Sequence, residues 1–114
     1  MSNLESLPCI PCRTGGAAAS AAEIFEWLSQ LPEWSTPVVD DVQRLVRIFP
    51  FKNFRQALDF TNQVGAIAEA EQHHPELLTA WGKVTVSWWT HKIGGLHRND
   101  FIMAAKTERL FSGN

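Results

Sequence analysis

The chain has 114 residues, 45% of them hydrophobic and 19% charged, which is the composition of one globular domain and not of a disordered protein. Its formal net charge of −2 argues against a nucleic-acid-binding protein, because contacts to a phosphate backbone need a basic surface. The sequence has no run of about 20 apolar residues, so we expect no membrane-spanning helix and no membrane partner.

The start of the chain differs in composition from the rest. It holds two prolines, two adjacent glycines and a run of alanines, which predicts a flexible N-terminal arm over residues 1–19 and one domain over residues 20–114. Cys9 and Cys12 are fewer cysteines than a small secreted domain normally carries, and the arm lacks the features of a secretory signal peptide. We therefore expect a cytoplasmic protein, in which this single CxxC pair indicates zinc or redox chemistry only weakly.

The N-terminal half predicts one helix followed by two strands. Ser20 and Glu23 have the spacing of a capping box, and apolar residues follow at steps of three and four until Pro32 ends the helix. β-branched and aromatic residues then dominate residues 34–39 and 44–51, which predicts two antiparallel strands joined by a turn.

The C-terminal half predicts a long helix, two strands and a last helix. Asn53 opens the long helix, which ends near Gln72 because a proline follows shortly afterwards. Strands are predicted over residues 76–80 and 83–91, and a helix over residues 99–111. The α-β-β-α-β-β-α order favours an α+β fold, with a four-stranded antiparallel sheet and three helices packed on one face.

All four histidines lie between residues 73 and 97. His73 and His74 follow the end of the predicted long helix, where the helix dipole favours the imidazolium form, and Glu69 lies about one turn earlier. His91 ends a predicted strand on the face opposite its core residues. Because imidazole can bind or release a proton near neutral pH, a helix end and a strand end that meet here predict one proton-transfer site.

Structural alternatives remain open for the same residues. A histidine pair at a helix C-terminus can simply cap free carbonyl groups, and His97 can serve to start the last helix. His73, His74 and His91 could together bind zinc. The spaced histidine pair of known zinc motifs is absent from the sequence, so acid–base chemistry without a metal ranks above a zinc site.

The tryptophans divide into two groups, since a tryptophan is more often a core residue than a platform for a ligand. Trp27, Trp34 and Trp88 are predicted to lie in the core. Trp89 falls on the polar face of its predicted strand, where it forms either a pocket wall or a subunit contact. We include Trp89 in the predicted substrate-binding set.

Three segments of the sequence resemble the pterin-4a-carbinolamine dehydratase family: residues 69–76 (EAEQHHPE), residues 81–86 (WGKVTV) and residues 90–96 (THKIGGL). The most specific features are the HHP triplet, the third histidine at position 91 and the Gly-Leu pair with Asp100 downstream. Less specific similarity covers residues 23–110 and leaves the cysteine-bearing arm outside.

The resemblance implies an enzyme that dehydrates 4a-hydroxytetrahydropterin, the product left by aromatic amino-acid hydroxylases, to quinonoid dihydropterin. It also implies a four-stranded antiparallel sheet backed by helices, a homodimer or homotetramer, and no metal or organic cofactor. Its alternative implication is a non-catalytic protein-binding module, because some members act as dimerisation cofactors of transcription regulators. Trp89 and Phe49 would then supply an exposed apolar surface.

Transferred residue by residue, the family motif makes His73 and His91 the acids that reach opposite faces of the pterin. His74 would help to bind the ring, and Glu69 would hold the pterin or tune the charge of the histidines. Asp100 joins the substrate site as the residue that orients His91, although a plain capping role at the start of the last helix is equally compatible.

Overall fold

The computed structural model describes residue 4 and residues 18–113. Within this part the chain forms three helices and five strands: α1 (Ala21–Leu28), β1 (Val38–Val39), β2 (Val42–Gln43), β3 (Leu45–Pro50), α2 (Phe54–Glu71), β4 (Glu76–Ala80), β5 (Lys83–Trp88) and α3 (Arg98–Ser112). Residues 1–3 and 5–17, which include both cysteines, lie outside the described part, so the flexible arm stays a prediction.

The predicted four-stranded sheet is wrong, because β1 and β2 form a separate hairpin while β3, β5 and β4 form a three-stranded antiparallel sheet in that order. Ser35 and Val46 exchange two backbone hydrogen bonds of 2.9 Å, and the Arg44 N–H donates to the Pro37 carbonyl at 2.8 Å. Pro37 has no N–H to return that bond, so the pairing is interrupted there. Residues 34–39 consequently contribute only an isolated bridge and β1.

The turn predicted between the N-terminal strands is present, and Asp40 and Asp41 form it. Their φ angles are 52° and 64°. Two consecutive left-handed residues are typical of the tight turn that matches the twist of an antiparallel hairpin, and aspartate tolerates this conformation better than most residues.

Helix α2 ends sharply at the histidine pair. At its start, the Asn53 side chain accepts a hydrogen bond from the Gln56 N–H at 2.9 Å. At its end, Gln72 adopts a left-handed conformation with φ 55°, and the His73 N–H bonds back to the Ala68 carbonyl at 3.1 Å. This C-cap fixes the direction in which the chain leaves the helix. The buried face of α2 consists of Ala57, Phe60, Val64 and Ala68.

Helices α2 and α3 cover one face of the three-stranded sheet. Val84, Val86 and Trp88 of β5 are fully buried, and α2 and α3 pack against this strand. On the opposite face, Ile48 of β3 and Leu78 of β4 are 56% and 62% exposed. The alternation along β5 therefore separates a core face from an open face, as the sequence pattern predicts.

Strand β5 ends at Trp88, earlier than the predicted end at residue 91. The Thr90 N–H donates to the Gly95 carbonyl at 2.8 Å, so the chain turns back on itself instead of continuing along β3. His91 consequently lies in a loop and not at the end of a strand. Because this loop leads into α3, it keeps the residues after β5 near the start of that helix.

The core beneath the sheet is aromatic. The ring centroid of Phe49 lies 5.8 Å from that of Trp34, 4.9 Å from that of Phe60 and 5.0 Å from that of Phe111. Phe49 is fully buried, so the expectation that it supplies an exposed apolar surface is wrong. These rings join β3, α2 and α3 in one core.

Two of the three tryptophans assigned to the core are buried there, namely Trp34 and Trp88. Trp27 of α1 is half-buried, with its ring centroid 5.1 Å from that of Phe101 in α3. Helix α1 therefore reaches the core by packing against α3.

Candidate active site

His73 is held between two buried side chains. Its Nε2 lies 2.6 Å from Oδ1 of Asp100, and its ring stacks on the indole of Trp88 with centroids 5.8 Å apart and 7° between the planes. His73 is only 8% exposed. A hydrogen bond in the plane of the ring and an aromatic contact across its face therefore fix the imidazole.

Asp100 is fully buried and accepts hydrogen bonds from three residues. Besides the contact with His73, its Oδ2 accepts from the Thr90 hydroxyl at 2.9 Å and from the His97 backbone N–H at 2.9 Å. A carboxylate has no proton to give, so Nε2 of His73 is the donor in the bond between them. Nδ1 of His73 is then the ring nitrogen left for proton transfer.

Trp88 is itself fixed by a hydrogen bond to α3. Its indole N–H donates to the Thr107 hydroxyl at 3.3 Å, and that hydroxyl donates to the Met103 carbonyl at 2.7 Å. The indole of Trp88 thus has a defined plane, against which His73 is stacked.

His97 is the N-cap of α3 and is buried, which confirms that it starts the last helix. Its Nδ1 accepts a hydrogen bond from the Asn99 N–H at 3.1 Å. Burial lowers the pKa of His97 below its ordinary value of 6.5; the positive charge of Arg98 adds to this change, and the Asp100 carboxylate opposes it. The lowered pKa favours the neutral ring, which is the form whose nitrogen can accept the capping bond.

His74 forms a second, exposed pair with the carboxylate predicted to lie near it. Its Nε2 lies 2.7 Å from Oε1 of Glu69, and the two side chains are 55% and 74% exposed. The adjacent histidines thus have different surroundings, because His73 is enclosed and His74 faces solvent. His74 and Glu69 are accessible to a ligand.

His91 packs against Trp89 in the loop after β5. Their ring centroids are 4.6 Å apart, with 40° between the planes. Trp89 is only 9% exposed, and the guanidinium of Arg44 lies 4.0 Å from the centre of its ring. Trp89 therefore supports a candidate acid, and the expectation that it belongs to an exposed apolar surface is wrong.

The contacts of Asp100 and of the histidine pair bear on two expectations from the sequence. Asp100 was expected to orient His91, but its carboxylate contacts His73; its capping role at the start of α3 is present as well. In the structural alternative the histidine pair caps free carbonyl groups of α2; the backbone N–H of His73 does bond to the Ala68 carbonyl, whereas the rings of His73 and His74 contact carboxylates.

Three residues of the site were not predicted from the sequence to belong to it: Thr90, Arg44 and Trp88, the stacking partner of His73. Thr90 lies beside His91 in the THKIGGL segment, so its position in the motif was an available signal. Arg44 carried no such signal, because it meets Trp89 only after two distant segments have folded together.

A cleft of about 690 Å³ lies at the other end of the sheet, lined by Pro50, Phe51, Lys52, Gln56, Asp59 and Phe111. This cleft contains no histidine, so the candidate site remains the region of His73, His74 and His91. Among residue 4 and residues 18–113, no group of three or more His, Cys, Asp or Glu side chains is placed to hold a metal ion. No helix in the same residues has the length and apolar character needed to cross a membrane.

A family model described as pterin 4 alpha carbinolamine dehydratase matches residues 17–110. The chain belongs to the pterin-4-alpha-carbinolamine dehydratase family. The match confirms the resemblance seen in the sequence, and it spans every candidate residue of the site. The family name denotes a hydro-lyase, which places the chain among enzymes.

Relatives with the name pterin-4-alpha-carbinolamine dehydratase are similar over nearly their whole length. The protein of Syntrophotalea carbinolica is 57% identical over 110 residues, covering 96% of this chain and 98% of the relative. That of Chlorobaculum tepidum is 59% identical over 112 residues, covering 96% and 99%. A crystal structure from Brucella melitensis, described as a transcriptional coactivator/pterin dehydratase, matches with a TM-score of 0.75 and 33% identity over 82% of this chain and 98% of that one.

Proposed function

We propose that this protein dehydrates 4a-hydroxytetrahydropterin to quinonoid dihydropterin by histidine acid–base catalysis. Family membership and the names of the relatives support the reaction. The observation that carries the mechanism is the buried imidazole of His73, which binds a carboxylate through Nε2 and stacks on Trp88. Such a ring is held in one orientation while its other nitrogen exchanges a proton.

The reaction needs two proton transfers. Hydroxide is a poor leaving group, so an acid must protonate the C4a oxygen as the C–O bond breaks and water departs. The lone pair on N5 forms the new bond to C4a, and the N5 proton then passes to a base or to water. Positioned acid–base groups typically accelerate such steps by about 10²–10⁴-fold.

We assign His73 and His91 as the acids, one for each face of the pterin. His74, Glu69 and Trp89 are assigned to binding the ring. The exposure of His74 and Glu69 supports this part of the proposal, because a ligand can reach both side chains.

Asp100 takes a different role in the mechanism from the one suggested by the family resemblance. Its three accepted hydrogen bonds support a role in holding His73 rather than His91. It is therefore a positioning residue and not a group that touches the pterin.

A stopped-flow dehydration assay tests the proposal. Wild-type protein is expected to accelerate the breakdown of 4a-hydroxytetrahydropterin, and His73→Ala and His91→Ala are each expected to lower kcat by about 10²-fold or more. His74→Ala is expected to raise KM more than it lowers kcat. Arg55→Ala, on the exposed surface of α2, is the control and should behave as wild type. Wild-type protein that leaves the spontaneous rate unchanged would rule out the proposed activity.

The same proposal places the protein in tetrahydropterin recycling, where an aromatic amino-acid hydroxylase supplies its substrate. It also includes assembly into a homodimer or homotetramer. Light scattering on the purified protein measures the assembly, and oxidation of phenylalanine by a purified hydroxylase, with and without this protein, measures the link to recycling.

A second candidate function follows from the coactivator description of the Brucella melitensis structure. The two residues expected to form the partner surface, Phe49 and Trp89, are buried, so the dehydratase is favoured. His73→Ala and His91→Ala separate the two functions, since they should strongly slow dehydration and leave a contact with a transcription regulator intact.

A further inference from the structure

We propose that Arg44 is a positioning residue for His91 and that it acts through the indole of Trp89. The proposal rests on the function proposed above, in which His91 is one of the two acids. It concerns a side chain far from the histidine motif in sequence, and it explains how an exposed loop residue obtains a defined orientation.

His91 depends on Trp89 for its orientation. It lies in the loop after β5 and is exposed, whereas His73 is enclosed by Asp100 and Trp88. In the described part of the chain no hydrogen bond or ion pair fixes the His91 ring, and the contact that it makes is with Trp89, at a centroid distance of 4.6 Å. A shift of the indole would therefore shift the imidazole.

Arg44 in turn covers Trp89. Leu45 and Trp88 are the last cross-strand pair of β3 and β5, so the next residues, Arg44 and Trp89, come together just beyond the paired strands. The guanidinium carbon of Arg44 lies 4.0 Å from the centre of the indole, well within the range of a cation–π contact. This contact accounts for the burial of a tryptophan that the strand pattern places on the open face of the sheet.

Arg44 is itself held by the hairpin and by β4. Its guanidinium lies 3.5 Å from Glu76 and 3.9 Å from Asp40, and its backbone N–H donates to the Pro37 carbonyl at 2.8 Å. Its Nε is buried without a hydrogen-bond partner among the described residues, so the position of the guanidinium plane follows from stacking and not from a complete set of hydrogen bonds. The contacts thus form a continuous support from β4 and the hairpin to His91.

The test compares Arg44→Met with Arg55→Met. Methionine keeps the unbranched stem and removes the planar cation; Arg55 also has an ion pair, 3.5 Å from Asp59, but lies on the exposed surface of α2. The first measurement is the NMR chemical shift of the His91 ring protons, which is changed by the ring current of the nearby indole. The second is the separation of kcat from KM in the dehydration assay. Two further variants change the ring that contacts His91: Trp89→Leu removes the aromatic ring, and Trp89→Phe keeps one.

Arg44→Met is expected to move the His91 ring signals toward their positions in Trp89→Leu and to lower kcat about tenfold, a larger change than the change in KM, because a small misplacement of an acid affects the chemical step. Trp89→Phe is expected to recover most of kcat relative to Trp89→Leu. Arg55→Met should change neither measurement.

The proposal is overturned if Arg44→Met leaves the His91 signals and kcat as in wild type, or if Arg55→Met has the same effect. Arg44→Gln replaces Arg44→Met if the latter does not fold, and unfolding of both would assign Arg44 a purely structural role. The ring signals are read without substrate. A wild-type protein without dehydratase activity would therefore defeat the proposed function while the NMR comparison still decided whether Arg44 positions His91.

Discussion

His73 and His74 are neighbours in sequence, yet they differ in burial and in the side chains that they contact. The left-handed Gln72 ends α2, and the side chains of His73 and His74 then meet different partners. His73 enters the space between Asp100 and Trp88, and His74 meets Glu69 in solvent. A fixed ring suits proton transfer, because the reacting nitrogen must be aligned in the transition state.

At the residue scale we expect Asp100→Asn to lower kcat by about tenfold or more while leaving the fold intact. The amide oxygen can still accept from Thr90 and from the His97 N–H, which preserves the helix cap. Its NH₂ group would then face Nε2 of His73, which must be unprotonated to accept a hydrogen bond, so the imidazolium form that acts as the acid would be disfavoured. Stopped-flow kinetics across pH, with thermal melting as the control for folding, measures both effects. An unchanged rate and pH profile would contradict the positioning role.

The start of α3 carries two functions in one turn. His97 supplies the capping acceptor for the Asn99 N–H, and Asp100 in the same turn holds His73 and accepts from the His97 N–H. A histidine can cap a helix only through an unprotonated nitrogen, so the state of this element depends on pH.

At the element scale we expect His97 to make the free energy of unfolding depend on pH. Burial lowers the pKa of His97 in the folded protein, while the unfolded chain keeps the ordinary value of 6.5. The unfolded state therefore binds a proton first, and stability falls as pH drops below 6.5, until the native imidazole is protonated as well.

His97→Asn isolates this effect, because asparagine is a preferred N-cap residue that does not titrate. Urea unfolding of both proteins between about pH 8 and pH 5 should give a steeper loss of stability for wild type than for His97→Asn. Parallel curves for the two proteins would contradict the assignment.

On the scale of the whole molecule, one aromatic core joins the sheet to the helices that carry the site. Phe49 of β3 packs against Trp34, Phe60 of α2 and Phe111 of α3. Arg47 and Trp34 both contact Glu108, which further ties β3 and the preceding segment to α3. The positions of His73 and Asp100 thus depend on packing well away from either residue.

We expect Phe49→Ala to destabilise the protein by about 3–5 kcal/mol, the usual cost of removing a buried phenylalanine. A domain of this size has about 5–15 kcal/mol of stability, so much of it would be lost. Phe25→Ala is the matched control, because Phe25 is 80% exposed on α1 and should change stability by less than about 0.5 kcal/mol. Urea unfolding measures both variants; an equal effect in the two would contradict the assignment of Phe49 to the centre of the core.

Local features of the sequence were sufficient to predict the helices, the family and the histidines of the candidate site. Caps and apolar periodicity act over a few residues, so the capping box at Ser20 and the cap at Asn53 could be predicted without a structure. The HHP triplet and the third histidine likewise indicated the family before any contact was known.

Only the tertiary structure decided which side chains meet. Pro37 interrupts the strand pairing because it has no N–H to return the hydrogen bond from Arg44. This effect could not be predicted without knowing that Arg44 lies opposite Pro37. Asp100 contacts His73 instead of His91, and Arg44 covers Trp89, because the end of α2, the loop after β5, the start of α3 and the N-terminal hairpin converge only in the folded chain. Such contacts join residues that are distant in sequence. Local propensity and motif spacing do not predict how far apart such residues lie in the folded chain.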